Sequence, residues 1–126
     1  MDDGVFRFEK LDVWRKAMAW LRQVYAVTSS FPDSERYGLS AQLRRCSVSV
    51  ASNIAEGAGR NTDGDFVRFL EMAYGSLMEA VCQCQIAADL GYIDRVSLDG
   101  LRSEAAEIAR MLTGLRRHRM PERTSR

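Results

Sequence analysis

From Leu11 to Thr28, apolar residues recur at alternating spacings of three and four: Leu11, Trp14, Met18, Leu21 and Tyr25. That rhythm keeps one line of a 3.6-residue helix pointing in a common direction, the seam of a bundle helix. Val13, Ala17, Trp20, Val24 and Val27 repeat the rhythm alongside, so the apolar arc spans roughly 200°, about twice what one core face needs. Asp12, Arg15, Lys16, Arg22 and Gln23 fill the remainder. The first helix, over 11–28, therefore has apolar surface to spare once the Leu11-to-Tyr25 seam is buried. Val13, Trp20 and Val24 become candidates to meet a neighbouring subunit.

Ser29-Ser30-Phe31-Pro32-Asp33 breaks the pattern, because proline restricts the residue before it and Asp33 or Ser34 can cap the next helix. A second helix is expected over 37–57, with the seam Leu39, Leu43, Cys46, Val50, Asn53 and Gly57. Within it, Cys46 to Ala55 passes without a charge, between Arg44-Arg45 and Glu56. Such a stretch is expected to be touched on several faces. Asn53 falls inside the seam, where a buried amide costs stability but fixes register, since a slip would strand its donors and acceptors. Val48 and Ala55 point away from that seam and join the interface candidates.

Gly57-Ala58-Gly59-Arg60-Asn61 reads as a helix stop, and Thr62 followed by Asp65 resembles a capping box. The third helix, 63–90, carries the seam Phe66, Leu70, Ala73, Leu77, Ala80, Cys84 and Ala87, with Val67, Tyr74, Val81 and Ala88 as a parallel stripe. Gly75-Ser76 interrupts it, where a missing side chain lets another helix approach or relieves strain at a cost of ~1 kcal/mol. The fourth, 95–118, has the narrow seam Leu98, Leu101, Ala105, Ile108, Leu112 and Leu115. Gly100 and Gly114 weaken its ends, and Pro121 stops it, leaving a flexible basic tail over 119–126. No strand signal or internal repeat is visible. Four helices with short connections predict one all-α domain over 1–126, an up-down-up-down antiparallel four-helix bundle.

Composition narrows the class. The chain has 126 residues, 46% of them hydrophobic and 28% charged, the balance of one soluble globular domain. No apolar run approaches the ~20 residues that span a bilayer. The acidic start MDDGVFRFEK lacks the pattern of a secretory signal, so a cytoplasmic location is expected. Cys46, Cys82 and Cys84 make an odd set, expected as reduced core thiols. Residues two apart on a helix diverge by roughly 200°, and His118 is the sole histidine. No metal or cofactor is expected.

Catalysis is not expected either. His118 sits in a basic end, remote in sequence from Cys82, Cys84 and Ser76. Glu56, Glu71 and Glu79 lack the Glu-x-x-His motifs of di-iron bundles, and GAGRNTDG follows a helix and lacks the lysine of a phosphate loop. The polar residues Ser49, Asn53, Glu56, Ser76 and Glu79 are instead expected to bond across the bundle, or with Arg45, as a structural network that specifies pairing.

Net charge is +1, yet 16 of the 18 basic residues are arginines, whose fork suits phosphate and stacks on bases. From Arg110 onward, six arginines face the single acid Glu122. Arg15, Lys16, Arg22, Arg44, Arg45, Arg110, Arg116, Arg117 and Arg119 are the candidate nucleic-acid contacts. A symmetric oligomer that stacks like ends would multiply them into a ring of charge. The alternative is a solvated helix end whose cations suit the helix dipole.

The strings FEKLDVWRKA, FPDSERYGLSAQLRRCSVSVASNIAEGAGR, FVRFLEMAYGSLMEA and LGYID, in that order, resemble the four-helix-bundle proteins encoded in intervening sequences of bacterial 23S rRNA genes, also labelled the S23 ribosomal protein family. The resemblance covers roughly Phe8 to Leu115. It implies a cytoplasmic bundle assembling as a ring-like homopentamer without catalysis. Ser49, Asn53, Glu56 and Gly57, with Gly75, Ser76 and Glu79, then become a structural signature. The family is similar to the accessory variability protein of diversity-generating retroelements, a basic pentameric bundle that binds a reverse transcriptase and nucleic acid. Two departures stand out: Ala51 occupies a position where many relatives have proline, which should straighten the second helix, and the near-neutral charge is less basic than in the retroelement protein. The function expected is a non-enzymatic oligomer that binds structured RNA or a ribonucleoprotein, the alternative being a protein-interaction scaffold or accessory subunit that does not itself touch nucleic acid.

Overall fold

In a computed structural model, which describes residues 4–120, the chain forms α1 (Asp12–Thr28), α2 (Leu39–Ala58), α3 (Asp63–Asp89) and α4 (Arg95–Arg119). Short 3₁₀ turns, Arg7–Lys10 and Asp33–Glu35, precede α1 and α2. Each helix packs on its sequence neighbours, and α1 also meets α4, closing a square. This is the all-α antiparallel four-helix bundle that the periodicity predicts. The boundaries differ from expectation by two residues or fewer. Arg119 continues α4 rather than opening a tail; the rest of the expected tail, 121–126, lies outside the described residues.

Local chemistry sets the boundaries. The start of α2 is capped by neither Asp33 nor Ser34, because the helix begins only at Leu39, six and five residues beyond them. Glu35 takes that role, its Oε1 accepting from the Leu39 amide at 3.0 Å while its Oε2 accepts from the Tyr92 hydroxyl at 3.2 Å. Thr62 caps α3 by accepting from the Asp65 amide at 3.1 Å, which is one half of a capping box. At the other end of α3, Gly91 takes φ +83°, and the Gly91 and Tyr92 amides return to the carbonyls of Ala88 and Ala87 at 2.9 and 2.8 Å. That is a Schellman stop, which needs a residue without Cβ. Asp94 then caps α4, accepting from the Ser97 amide at 2.7 Å.

The core holds Leu43, Val50 and Ile54 of α2, the expected α3 seam, and Leu98, Leu101, Ala105, Ile108 and Leu112 of α4. On α1 the two stripes exchange roles. Val13, Trp20 and Val24 are 3%, 1% and 0% exposed, so these interface candidates are core residues and are closed to a neighbouring subunit. Trp20 tolerates burial because its Nε1 donates to the Leu101 carbonyl at 3.0 Å, which satisfies the indole's one polar group. Leu11, Trp14, Met18 and Leu21 are half-buried and Tyr25 is exposed.

On α2 the buried line is Ser40, Leu43, Ser47, Val50, Ile54 and Gly57. Leu39, Cys46 and Asn53, expected in the seam, are half-buried. Helix geometry puts Cys46 and Asn53 at the edge toward α3, roughly 40–60° from Val50. Gly57 permits a close approach of α2 to α3: a Cβ there would lie 2.7 Å from Phe69 Cβ and 2.9 Å from Phe66 Cδ1. Gly75 does nothing of the kind, for an added Cβ would meet nothing within 4 Å, so the expected close approach is absent there. Helix α2 runs unbroken through Ala51.

Candidate nucleic-acid and assembly surfaces

Up-down topology places the start of α1, the end of α2, the start of α3 and the end of α4 at one pole. Arg7 ties this pole together: its Nη1 donates to the Ala58 carbonyl at 3.0 Å. The candidate cations divide between poles. Arg15, Lys16, Arg110, Arg116, Arg117 and Arg119 belong to this half, whereas Arg44 and Arg45 begin α2 at the opposite pole and Arg22 sits in the half of α1 nearer to it. Within a protomer, Arg44-Arg45 and the C-terminal arginines therefore lie at opposite poles. Sequence reasoning overlooked Arg7 and Arg60 at the basic pole, because their neighbours in the chain carry no charge run.

Many of these cations are engaged. Arg15 bridges Asp12 at 2.8 Å, Lys16 reaches Glu107 at 3.1 Å, Arg116 reaches Glu71 at 2.9 Å, and Arg119 lies 3.6 Å from Asp63 with its guanidinium over the Phe66 ring. Arg44 donates from Nε to Thr28 Oγ1 at 2.7 Å and stacks 4.5 Å from the Tyr25 ring centroid. Exposed pairs of this kind contribute about 0–1 kcal/mol each, so their main effect is to occupy charge. Arg22, Arg45, Arg110 and Arg117 make no ion pair among the described residues.

A polar strip runs between α2 and α3. Ser49 and Ser76 hydroxyls meet at 2.8 Å across the helix pair, and Asn53 Nδ2 donates to the Ser49 carbonyl at 2.9 Å and to its Oγ at 3.0 Å. Part of the expected network is thus present, centred on Ser49. Glu56 is not a member: it pairs with Arg60 at 3.0 Å on its own helix. Glu79 instead faces Cys46, whose thiol is pushed up first by burial and then by the adjacent carboxylate. Cys84 is buried and pushed up to about 12 by desolvation, while Cys82 is exposed rather than in the core. All three thiols are free.

The spare apolar surface lies across α1 and α2. At 100° per residue, Trp14, Met18, Leu21 and Tyr25 occupy the side of α1 that turns toward α2, a placement the Arg44–Tyr25 stack confirms. Val48, 39% exposed, and half-buried Ala55 continue this face on α2. On the opposite side of the square, α3 and α4 enclose two adjoining hollows, of about 350 and 290 Å³, which share Tyr74 and Thr113.

Among the described residues, no group of three or more His, Cys, Asp or Glu is placed to hold a metal ion, and no helix is long and apolar enough to cross a membrane. His118 is at the basic pole, whereas Cys82 and Cys84 lie toward the far end of α3. The arrangement is that of an antiparallel helical bundle with divided surfaces, one flank apolar and one pole rich in arginine. The chain belongs to the 23S rRNA-intervening sequence protein family, whose pattern it matches over residues 9–114. Its fold is similar to that of a protein of unknown function from the S23 ribosomal protein family of Bacteroides thetaiotaomicron VPI-5482, with a TM-score of 0.77 and 19% identity over 83% of this chain and 95% of that one. No protein of curated function matches the chain.

Proposed function

We propose that the protein is a non-enzymatic, cytoplasmic homo-oligomer that binds structured RNA or a ribonucleoprotein through arginines at its basic pole, with five copies as the number the family resemblance implies. The observation that carries this reading is the position of Arg110, Arg116, Arg117 and Arg119 over the last turns of α4, at the pole that also holds Arg7, Arg15 and Arg60. Arginine forks there meet solvent on several helices at once. The apolar α1/α2 face supports self-association, because Trp14, Met18, Tyr25 and Val48 leave a patch that a second copy would cover. Catalysis is disfavoured at Cys46 and Cys84: burial raises both thiol pKa values, and a carboxylate neighbour adds to the rise at Cys46, the reverse of what activates a nucleophile.

A second reading, a scaffold or accessory subunit without direct nucleic-acid contact, draws on the ion pairs that occupy Arg15, Lys16, Arg60, Arg116 and Arg119. Binding of a structured RNA at low and moderate salt separates the two. The RNA reading requires a loss of about tenfold or more between 50 and 200 mM salt, made smaller by Arg117→Ala more than by Arg116→Ala, since Glu71 already holds Arg116. A flat salt response, or no binding, selects the scaffold.

A further inference from the structure

We infer that the α3/α4 groove around Tyr74 is a nucleotide site, in which an unpaired base stacks on the tyrosine ring and the phosphates on either side of it meet Arg110 and Arg117. This rests on the RNA reading above and locates it on particular atoms. Tyr74 belongs to the stripe of α3 that turns toward α4, yet it is 39% exposed. Its ring forms the wall shared by the two adjoining hollows. The smaller hollow is lined, beside Tyr74, by Ala109, Arg110, Thr113, Gly114 and Arg117.

Three features of this groove answer to a nucleotide. Gly114 presents no side chain, and a Cβ built there would meet nothing within 4 Å, so a flat ring can lie against the helix beside Tyr74. Arg110 and Arg117 are seven residues apart, which places them two turns or roughly 10.5 Å apart on one face of α4, with the glycine between them. Neither makes an ion pair among the described residues, although the neighbouring Arg116 is neutralised by Glu71 at 2.9 Å. Two uncommitted guanidinium forks flanking an aromatic face are the combination that single-stranded nucleic acid uses, with stacking on the ring and charge-assisted bonds to phosphate. Thr113, which lines both hollows, adds a hydroxyl for a base edge or a sugar. An acidic peptide would use the arginines but would have no need of the ring. The groove lies on the opposite side of the square from the apolar α1/α2 face, so self-association through that face leaves it open.

Fluorescence anisotropy with a labelled twelve-nucleotide single-stranded RNA tests the site on the full chain, with the same sequence as DNA and a poly-glutamate peptide as parallel probes. Tyr74→Ala and Arg110→Ala are each expected to weaken RNA binding about tenfold, and Tyr74→Phe, which keeps the ring, to restore it to within about twofold of wild type. Equal losses with RNA and DNA place recognition on base and phosphate, and a larger loss with RNA adds the 2′-hydroxyl; both support the site. Wild-type binding that survives Tyr74→Ala and Arg110→Ala overturns this site while leaving RNA binding elsewhere at the pole intact. Absence of any wild-type RNA binding overturns both readings. Poly-glutamate binding as tight as RNA, lost in Arg110→Ala and kept in Tyr74→Ala, overturns the nucleotide assignment in favour of an acidic protein partner.

Discussion

Two opposite flanks of the bundle share one backbone geometry and differ in what they leave unsatisfied. Across α1 and α2, the residues beyond the core are Trp14, Met18, Leu21, Tyr25, Val48 and Ala55, with Arg44 folded down on Tyr25. Across α3 and α4, the corresponding positions carry Tyr74, Thr113, Arg110 and Arg117, with charge to spare. The first flank is mostly apolar and gains chiefly from excluding water. The second has donors directed at solvent. One bundle thereby separates a surface suited to its own copies from one suited to a charged ligand, and the charge-free run Cys46 to Ala55 is what keeps the first flank clean.

The most drastic way to break this division is a charge on the apolar flank. Val48→Glu is expected to convert the proposed oligomer to monomer in light scattering while leaving the helical circular dichroism unchanged; an unaltered mass would overturn this flank as a self-association surface. The two tryptophans of α1 offer the next test. Trp20→Ala removes a fully buried ring and its bond to Leu101, and is expected to cost about 3–5 kcal/mol in denaturant unfolding. Trp14→Ala, which loses a half-buried ring packed edge-on to Phe8 at 4.8 Å, should cost clearly less at concentrations where the protein is monomeric. Equal costs would mean that α1 is rotated relative to the structure.

Glycines sharpen the contrast at smaller scale. Gly57→Ala drives a methyl group into Phe66 and Phe69, and is expected to destabilise by about 1–3 kcal/mol. Gly75→Ala enters open space on a helix and should stabilise the monomer by about 0.5–1 kcal/mol; thermal melts with shifts of the same sign would refute the packing described. The smallest effect concerns pH. The Ser97 amide holds the Asp94 carboxyl below the usual carboxylate range, so this cap stabilises fully above the unfolded value near pH 4 and fades as pH falls through the depressed folded value. Asp94→Ala should therefore lower Tm at pH 7, with the gap to wild type narrowing below pH 4. A gap independent of pH would show that the carboxylate charge contributes nothing.

Much of the fold was legible because helix ends are written in local chemistry: Thr62 before α3, Gly91 after it and Asp94 before α4 act through neighbours within a few residues. The rotation of α1 was not legible. Its two stripes have the same spacing and similar apolarity, and what separates them is packing against the other helices, where the Leu101 carbonyl of α4 also receives the Trp20 indole. The same holds for α2, where packing against both α1 and α3 moved Cys46 and Asn53 to an edge. Candidate cations were readable as residues but not as free or engaged charges, since the acids that occupy Lys16, Arg116 and Arg119 come from other helices. Tyr74 stood out only as one member of a stripe, and the groove that gives it meaning is made by α4.

The central claim is that the arginine-bearing α3/α4 flank contacts phosphate. The most direct measurement is the slope of log affinity against log salt for a single-stranded RNA, compared between wild type and the Arg110→Ala, Arg117→Ala double variant. Loss of two phosphate contacts on a single strand predicts a slope shallower by roughly 1.4. An identical slope in the two proteins would contradict the account.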